Sequence, residues 1–451
     1  MEFIEAARKF IELDSTAESG TLEVAEFAAE LARSAGLFVE LQKETFNGRD
    51  QANLIARPTE ALPSDELLLQ THLDTGDPGS YGFWNKTGAN PFNASIYLDT
   101  IYGLGAASCK LDFLCKLTAI SEVMTEHKDK SWRLPFVLVG TYGEETGMPG
   151  AIKLIRKKKI SARQALVGEP TQLNLITAGK GFAGVEIEIP FSDDEKDFRD
   201  RHNTSDGTTS QSRVFVGKAA HSSVPQMGES AIAKMLDYLA KLPSGLAIME
   251  IEGGISYNTV PAHAVLEIDM VGELRESIAS KVAKIAAAIL EVEQQFKSFP
   301  DPGFDPPEPS LNIGMIRTYE DFIKISGCCR LPPTVSDETY GQWMEILRTT
   351  CESVGAVFRV TDYKQPFRTS PHPPLVKVCQ AELATLGRSV ELGTQSVANE
   401  ANVFSRFGIS CIAFGPGRGV GNSHAPNEHV RIDELHEATR FYRGILEKMC
   451  R

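Results

Sequence analysis

The sequence predicts an α/β chain that carries a smaller α+β domain as an insertion, and three observations predict it. The run Leu67, Leu68, Leu69 leads through Gln70 and Thr71 to His72 and Asp74. Such an apolar run suits a strand buried on both faces of a parallel sheet, with polar residues delivered at its carboxyl end. Similar short apolar runs alternate with helical periodicity up to about residue 178, the pattern of an α/β layer structure. After Ala178 the pattern changes, and after about Phe367 the first character returns. One domain formed by 1–178 and 368–451 would therefore be interrupted by another formed by 179–367.

In the outer domain, Val24, Ala28, Leu31 and Ala35 share a helical face that Gly36 closes. Strands are expected at Asn53–Ala56, Leu67–Leu73, Phe136–Thr141, Ala165–Val167 and Ile409–Phe414. Between Leu111 and Met124 a helix is expected, because Phe113, Leu117, Ile120 and Met124 fall on one side. In the inserted domain, strands are expected at Val185–Ile189, Val214–Val216, Ala264–Met270 and Phe322–Ser326. Helices are expected around Ile232, Met235, Leu236 and Leu239, around Leu274, Ile278, Val282, Ile285 and Ile289, and from Glu338 to Val354. The charged, Ser/Thr-rich stretch Ser192–Ser212 and the Pro-rich stretch Ser298–Pro309 read as loops.

A net charge of -14 over 451 residues excludes an electrostatic affinity for nucleic acid or an anionic membrane, and leaves small molecules as partners. The one basic run, Arg156–Lys159, is short enough to be a solvated helix end. Met1–Leu13 reads as an acidic amphipathic segment rather than a leader, so a cytoplasmic protein is expected. Eight cysteines without paired metal-ligand spacing are expected to be reduced and mostly buried.

The polar residues at the strand ends carry the chemistry. Alternation points His72 and Asp74 to one face, so that Asp74 can orient the imidazole by accepting from its second nitrogen. Glu144 and Glu145 follow the Phe136 strand, Glu169 follows Val167, and His424 follows the Gly415-Pro416-Gly417 turn. Adjacent carboxylates point apart, so one of Glu144 and Glu145 can hold a metal while the other acts as a general base. Two histidines and two carboxylates suit zinc.

With these residues in place, the chain resembles the zinc-dependent amidohydrolases that include acetylornithine deacetylase, succinyl-diaminopimelate desuccinylase, aminoacylase and carboxypeptidase G. The resemblance rests on His72-Leu73-Asp74-Thr75, Trp84, Pro91-Phe92, Tyr102–Lys110, Gly143-Glu144-Glu145, Gly168-Glu169-Pro170, His221-Ser222-Ser223, Asn258 with Pro261, and Phe414–Gly417 with His424. It implies a catalytic domain with a mixed, largely parallel sheet flanked by helices, and a lid formed by the insertion. It also implies one or two zinc ions, with cobalt or manganese as substitutes. His72 and Glu169 would hold one ion, Glu145 and His424 the other, with Asp74 behind His72 and Glu144 as the base. A metal-activated water would attack the amide of an N-acyl amino acid or small peptide bearing a free carboxylate. The lid residue His221 would stabilise the oxyanion, Asn258 and Arg330 would grip the carboxylate, and Gly415 and Gly417 would line the substrate. A homodimer through the lid is a further implication.

One position departs from the family pattern. Ser108 stands where the family carries the aspartate that bridges the two metals, so the two cations lose their shared anion and at least one should bind weakly. Asp112, one helical turn on, is the residue that could reach back in its place. The substitution opens an alternative, a catalytically impaired relative that binds a small acidic ligand or serves as a partner subunit.

Overall fold

The computed structural model describes residues 2–127, 131–203, 210–242, 246–270 and 277–451. The chain forms two compact units. The first comprises Met1–Ala178, Phe367–Thr394 and Asn399–Arg451; the second comprises Gly179–Pro366 and Gln395–Ala398.

The first unit is built on a mixed nine-stranded sheet. Its order is Phe38–Phe46, Arg49–Arg57, Phe136–Thr141, Leu67–His72, Gln164–Gly168, Ser410–Phe414, Leu175–Gly179 and Phe367–Arg368, with Leu392–Gln395 joined to Leu175–Gly179. The four strands from Phe136–Thr141 to Ser410–Phe414 run parallel, and alternating side chains enter two separate cores. Leu67, Leu69, Phe136, Leu138, Leu166 and Ile412 pack with the helices Phe3–Glu12, Leu22–Ser34, Lys110–Glu126, Pro374–Thr385 and Ile432–Ile445. Leu68, Val137, Val139, Ala165, Val167 and Cys411 pack with Pro149–Arg156 and Glu400–Arg406.

Because both faces are apolar, a one-residue slip of the Leu67–His72 strand would expose no leucine, and the hydrophobic pattern alone does not set its register. Polar residues do. Gln70 Nε2 donates to Thr141 Oγ1 at 2.9 Å and Thr71 Oγ1 donates to Asp112 Oδ2 at 2.6 Å. This register leaves His72 opposite Thr141 at the carboxyl end of the parallel strands, where open α/β sheets place their chemistry.

The second unit is a seven-stranded sheet whose neighbours are all antiparallel. Its order is Gln211–Val216, His263–Met270, Leu246–Gly253, Ser310–Thr318, Phe322–Leu331, Gly181–Pro190 and Val357–Lys364. Val185, Ile187 and Ile189 face a core shared with the helices Ala231–Leu239, Ile278–Phe296 and Asp337–Ser353. Glu186 and Glu188, on the other face, pair with Lys324 and Arg359 at 2.9 Å each. One apolar and one charged face make this an α+β layer.

Two expectations change. Ser192–Ser212 is not a loop throughout, since Asp193–Asn203 is a helix and a strand begins at Gln211. The helix carries no apolar stripe, so its period is invisible in sequence. It is held instead by Glu195, which accepts from Ser192 N and Oγ at 3.1 Å each, and by Arg199, which donates to the carbonyls of Ile248 and Met249 and lies over the Phe191 ring. Asp193 and Asp194 add favourable charge at its N-terminus. Leu274 lies outside the described residues, and the helix expected there begins at Ile278. Among the described residues, no helix is long and apolar enough to cross a membrane.

Candidate metal and catalytic centre

His72 is the last residue of its strand and is almost wholly buried. Its Nδ1 lies 3.1 Å from the Asp74 carbonyl and 3.5 Å from Asp74 Oδ1, so the main-chain oxygen is the nearer acceptor. The Asp74 carboxylate has a second task that sequence reasoning missed. Its oxygens accept the backbone N–H of Glu144 at 3.1 Å and of Glu145 at 3.0 Å, tying the turn after one parallel strand to the end of its neighbour. Burial would raise its pKa, but the His72 contact and these two amides outweigh that and hold it below its ordinary value. His72 shows the converse. Burial disfavours the imidazolium, yet the Cys109 sulfur, Asp74 and Glu144 together raise its pKa well above 6.5.

Glu144 and Glu145 are crowded acids. Burial lifts the pKa of Glu144 well above the usual range; His72 opposes this, while Glu145, Glu169 and Asp74 add to it. Burial also lifts Glu145, against the attraction of His424 and His72. His424 Nε2 stands 3.3 Å from Glu145 Oε1. His424 itself has φ +60°, and a side chain at Gly76 would come within 2.4 Å of its ring, which explains a glycine two residues after Asp74. Glu169 follows the next parallel strand and is 9 % exposed.

Ser108 does not enter this group as a donor. Its hydroxyl donates to Glu428 Oε1 at 3.0 Å, and the amides of Ala107 and Ser108 donate to the same oxygen at 2.9 Å each. Asp112 does not reach back toward it either. Its Oδ2 accepts from Thr71 Oγ1 at 2.6 Å and Lys116 Nζ at 2.7 Å, and its Oδ1 accepts from Tyr442. Both oxygens are spent inside the sheet layer, which removes the compensation that helical spacing suggested.

Gly415 and Gly417 are also fully engaged. Their amides donate to Thr171 Oγ1 at 3.2 Å and Glu434 Oε1 at 3.0 Å, and their carbonyls accept from Leu173 and Gln172. They form a tight turn, Gly417 with φ +80°, and leave no backbone donor for a substrate. All eight cysteines are buried and free of disulfides.

Glu400 was not singled out in the sequence, having no motif around it. It is 1 % exposed and accepts from Gln70 Nε2 and Thr141 Oγ1, on the same strands that end in the site. Burial pushes its pKa up to about 8. The folded chain therefore holds a proton there that the unfolded chain releases above about pH 4.5. In metal-free protein this contribution to stability is complete below about pH 4.5 and fades as pH rises to about 8, by up to about 1.4 kcal/mol per pH unit. Glu400→Gln should flatten that slope in urea melts across the window; equal slopes for the two proteins would place the ionisation elsewhere.

The donor set fits a divalent cation. His72, Glu145 and Glu169 stand at or just after the ends of neighbouring parallel strands, His424 Nε2 lies 3.3 Å from Glu145 Oε1, and the raised acids mark an excess of negative charge that a cation would relieve. Among the described residues, three ligand atoms come mutually within 4.8 Å only at Glu126, His127 and Glu447, an outer cluster whose two carboxylates already pair with Arg443. Within the site, Glu145 and His424 stand as a close pair.

In the second unit, the Ala220–His221 strand pairs with Thr259–Val260, and Ser222 N donates to the Asn258 carbonyl at 2.9 Å. His221 Nδ1 accepts the Ser223 amide at 3.2 Å, which puts the ring proton on Nε2. The Asn258 side-chain oxygen accepts from Ser256 Oγ at 2.7 Å. Arg330 is 4 % exposed, donates to Ser222 Oγ at 3.3 and 3.4 Å, and lies 5.0 Å from the Phe182 ring centre. No carboxylate pairs with it among the described residues. Burial lowers its pKa, opposed by Cys328 and Tyr257.

Comparison with known proteins follows the same lines. Residues 68–448 match the model of the peptidase family M20/M25/M40. The chain is 26% identical over 452 residues to an acetylornithine deacetylase of Aliivibrio fischeri, covering 97% of this chain and 94% of that one. It is 23% identical over 439 residues to the corresponding protein of Myxococcus xanthus, covering 95% and 92%. In fold it is similar to the aminoacylhistidine dipeptidase of Vibrio alginolyticus, with TM-score 0.65 and 15% identity over 99% and 96% of the two chains. It is likewise similar to an M20 family metallo-carboxypeptidase of Sulfolobus solfataricus, with TM-score 0.63 and 18% identity over 99% of each.

Proposed function

We propose that this chain, which belongs to the peptidase family M20/M25/M40, is a metal-dependent amidohydrolase that cleaves an N-acyl amino acid or a small peptide with a free carboxylate. The observation that carries the reading is the Glu144–Glu145 turn, clamped by Asp74 and set against His72 and His424. His72 with Glu169, and Glu145 with His424, would hold the metal. A divalent ion there supplies Lewis acidity, polarising an amide carbonyl and acidifying a water.

The chain's own groups do the rest. Glu144, a half-buried carboxylate whose pKa is raised, takes the proton of the attacking water and returns it to the leaving nitrogen. Asp74 keeps Glu144 and Glu145 in place through their amides and leaves both carboxylates for other work. The Nε2–H tautomer of His221 is the form that donates to a developing oxyanion. Acetylornithine deacetylase relatives favour an acylated amino acid as substrate.

Arg330 supports a free carboxylate on that substrate, since its buried guanidinium is bonded to the Ser222 hydroxyl and has no carboxylate partner among the described residues. Arg330→Lys keeps the charge and loses the fork, so KM for an acyl amino acid should rise roughly 10- to 100-fold. Hydrolysis of the corresponding amide, which lacks the carboxylate, should not change; a parallel loss for both substrates would remove Arg330 from carboxylate recognition.

The whole reading is tested by the metal content of the purified protein after equilibration with zinc or cobalt, followed by an acyl-amino-acid screen. Bound metal with turnover supports it. Ser108 favours one second reading, a non-hydrolysing relative that binds an acidic ligand, and saturating metal without turnover on any acyl amino acid would support that instead.

A further inference from the structure

The open face of the second unit's sheet changes along its strands. At one end Glu186 and Glu188 pair with Lys324 and Arg359. Toward the other end the same alternation brings Arg330 and Phe182 side by side, because they are direct cross-strand partners. The guanidinium carbon lies 5.0 Å from the Phe182 ring centre, and Nε and Nη2 donate to Ser222 Oγ at 3.4 and 3.3 Å. Tyr257 adds a second ring, its centre 6.2 Å from that of Phe182. The Tyr257 loop is fixed on the sheet. Asn312 Nδ2 donates to the carbonyls of Tyr257 and Thr259 at 3.1 Å each, and a side chain at Gly314 would come within 2.4 Å of the carbonyls of Ser256 and Tyr257. Tyr257 is nonetheless 46 % exposed, so an anchored ring stands in water close to a buried cation.

Charge favours one kind of neighbour for these rings. Cys328 and Tyr257 are the titratable groups felt at Arg330, and burial raises the pKa of both, so they are neutral at pH 7. The acid felt at Tyr257 is Asp362, and it is bonded to Lys364 Nζ, from the residue opposite Phe182 on the next strand. Asp301, Asp305 and Glu308 act on Lys180, whose Nζ donates to the carbonyls of Pro306 and Glu308 at 2.7 and 3.0 Å. A carboxylate on the Arg330 fork would be held by bonds of about 2.8 Å, and an amino acid's side chain leaves from the next carbon. That places the side chain within reach of a ring only 5.0 Å from the guanidinium carbon.

We infer that Phe182 and Tyr257 determine specificity: they receive the side chain of the substrate's amino acid, which is aromatic or otherwise large and apolar rather than cationic. The inference rests on the reading of Arg330 as the partner of the substrate's carboxylate. An apolar side chain gains from buried area and ring packing together. An ammonium would sit beside the guanidinium and against its repulsion, and the Phe182 face that could attract it already meets Arg330.

The test compares N-acetylphenylalanine, N-acetylglycine and α-N-acetylornithine on the zinc-equilibrated protein. For the phenylalanine derivative kcat/KM should exceed each of the others by at least about 10-fold. Tyr257→Ala should shrink the phenylalanine-to-glycine ratio by about 3- to 10-fold. Tyr257→Phe should keep it, since the ring and not the hydroxyl makes the contact. Truncation of an exposed ring leaves the core intact, which the urea midpoint checks. Preference for acetylglycine or acetylornithine overturns the inference and leaves the hydrolase reading standing, as does a ratio that Tyr257→Ala does not move. If no acyl amino acid is turned over, the hydrolase reading falls, and calorimetric titration of the same three compounds decides the inference. Tighter binding of acetylphenylalanine that weakens in Tyr257→Ala supports it; equal binding of all three, or none, overturns it.

Discussion

Glu144→Gln is expected to reduce hydrolysis by about 10²–10⁴-fold while metal content stays unchanged. The substitution removes only the ability to take a proton. Glutamine fills the same volume, and the contact that fixes this position runs from the Glu144 main-chain amide to Asp74 Oδ1 at 3.1 Å, which any side chain preserves. Burial and the charges of Glu145, Glu169 and Asp74 hold the Glu144 pKa well above the ordinary range. That shift belongs to the metal-free protein, and a bound divalent ion should lower it, so activity should grow as pH rises and the base form of Glu144 appears. Metal content is checked by atomic emission and turnover by amine release. Loss of metal in step with activity would make Glu144 a ligand and move the base to Glu145.

Lys116→Met should destabilise the protein by about 3–5 kcal/mol, the cost of stranding a buried charge. Lys116 is fully buried, and its Nζ donates to Gln70 O at 2.6 Å, Thr71 Oγ1 at 2.8 Å and Asp112 Oδ2 at 2.7 Å. Methionine fills the space and leaves Asp112 with its charge and one fewer partner. The damage should extend to the site. A Cβ at Gly168 would sit 2.3 Å from Asp112 Oδ2, so this network packs directly against the residue before Glu169. Urea unfolding of the metal-free protein measures the stability term, and zinc titration should show weaker binding. Replacing Asp112 and Lys116 together by apolar residues of similar size should recover much of the loss, because a buried pair is worth little against a packed hydrocarbon. A cost below about 1 kcal/mol for Lys116→Met alone would mean that this pair does not hold the sheet layer together.

Much of the frame was legible before any coordinates. Leu67–Leu69 announces a strand covered on both sides, and the two cores that divide Leu68 from its neighbours bear this out. The hairpin joining Phe38–Phe46 to Arg49–Arg57 is legible in the Asn47-Gly48 pair as well. Asn47 and Gly48 have φ of 49° and 74°, the left-handed pair that an Asn-Gly turn adopts. The helix Asp193–Asn203 was not legible, since what holds it is Arg199 reaching the carbonyls of another strand.

At the site the division is sharper. Sequence by itself determined the residue types, and for His72, Asp74, Glu144, Glu145 and Glu169 their positions at strand ends, because short apolar strands end at them or just before them. The family resemblance also implied that a carboxylate is missing at Ser108. Where the side chains point was decided only by tertiary structure, because hydrogen-bond partners here are distant in sequence. Asp112 sits at the right helical spacing to help Ser108, yet Thr71, Lys116 and Tyr442 claim both its oxygens. Gly415 and Gly417 look like a substrate turn, yet Thr171 and Glu434 take their amides. Glu428 carries no signal of its own in the sequence, and its carboxylate takes up the Ser108 amide and hydroxyl across 320 positions.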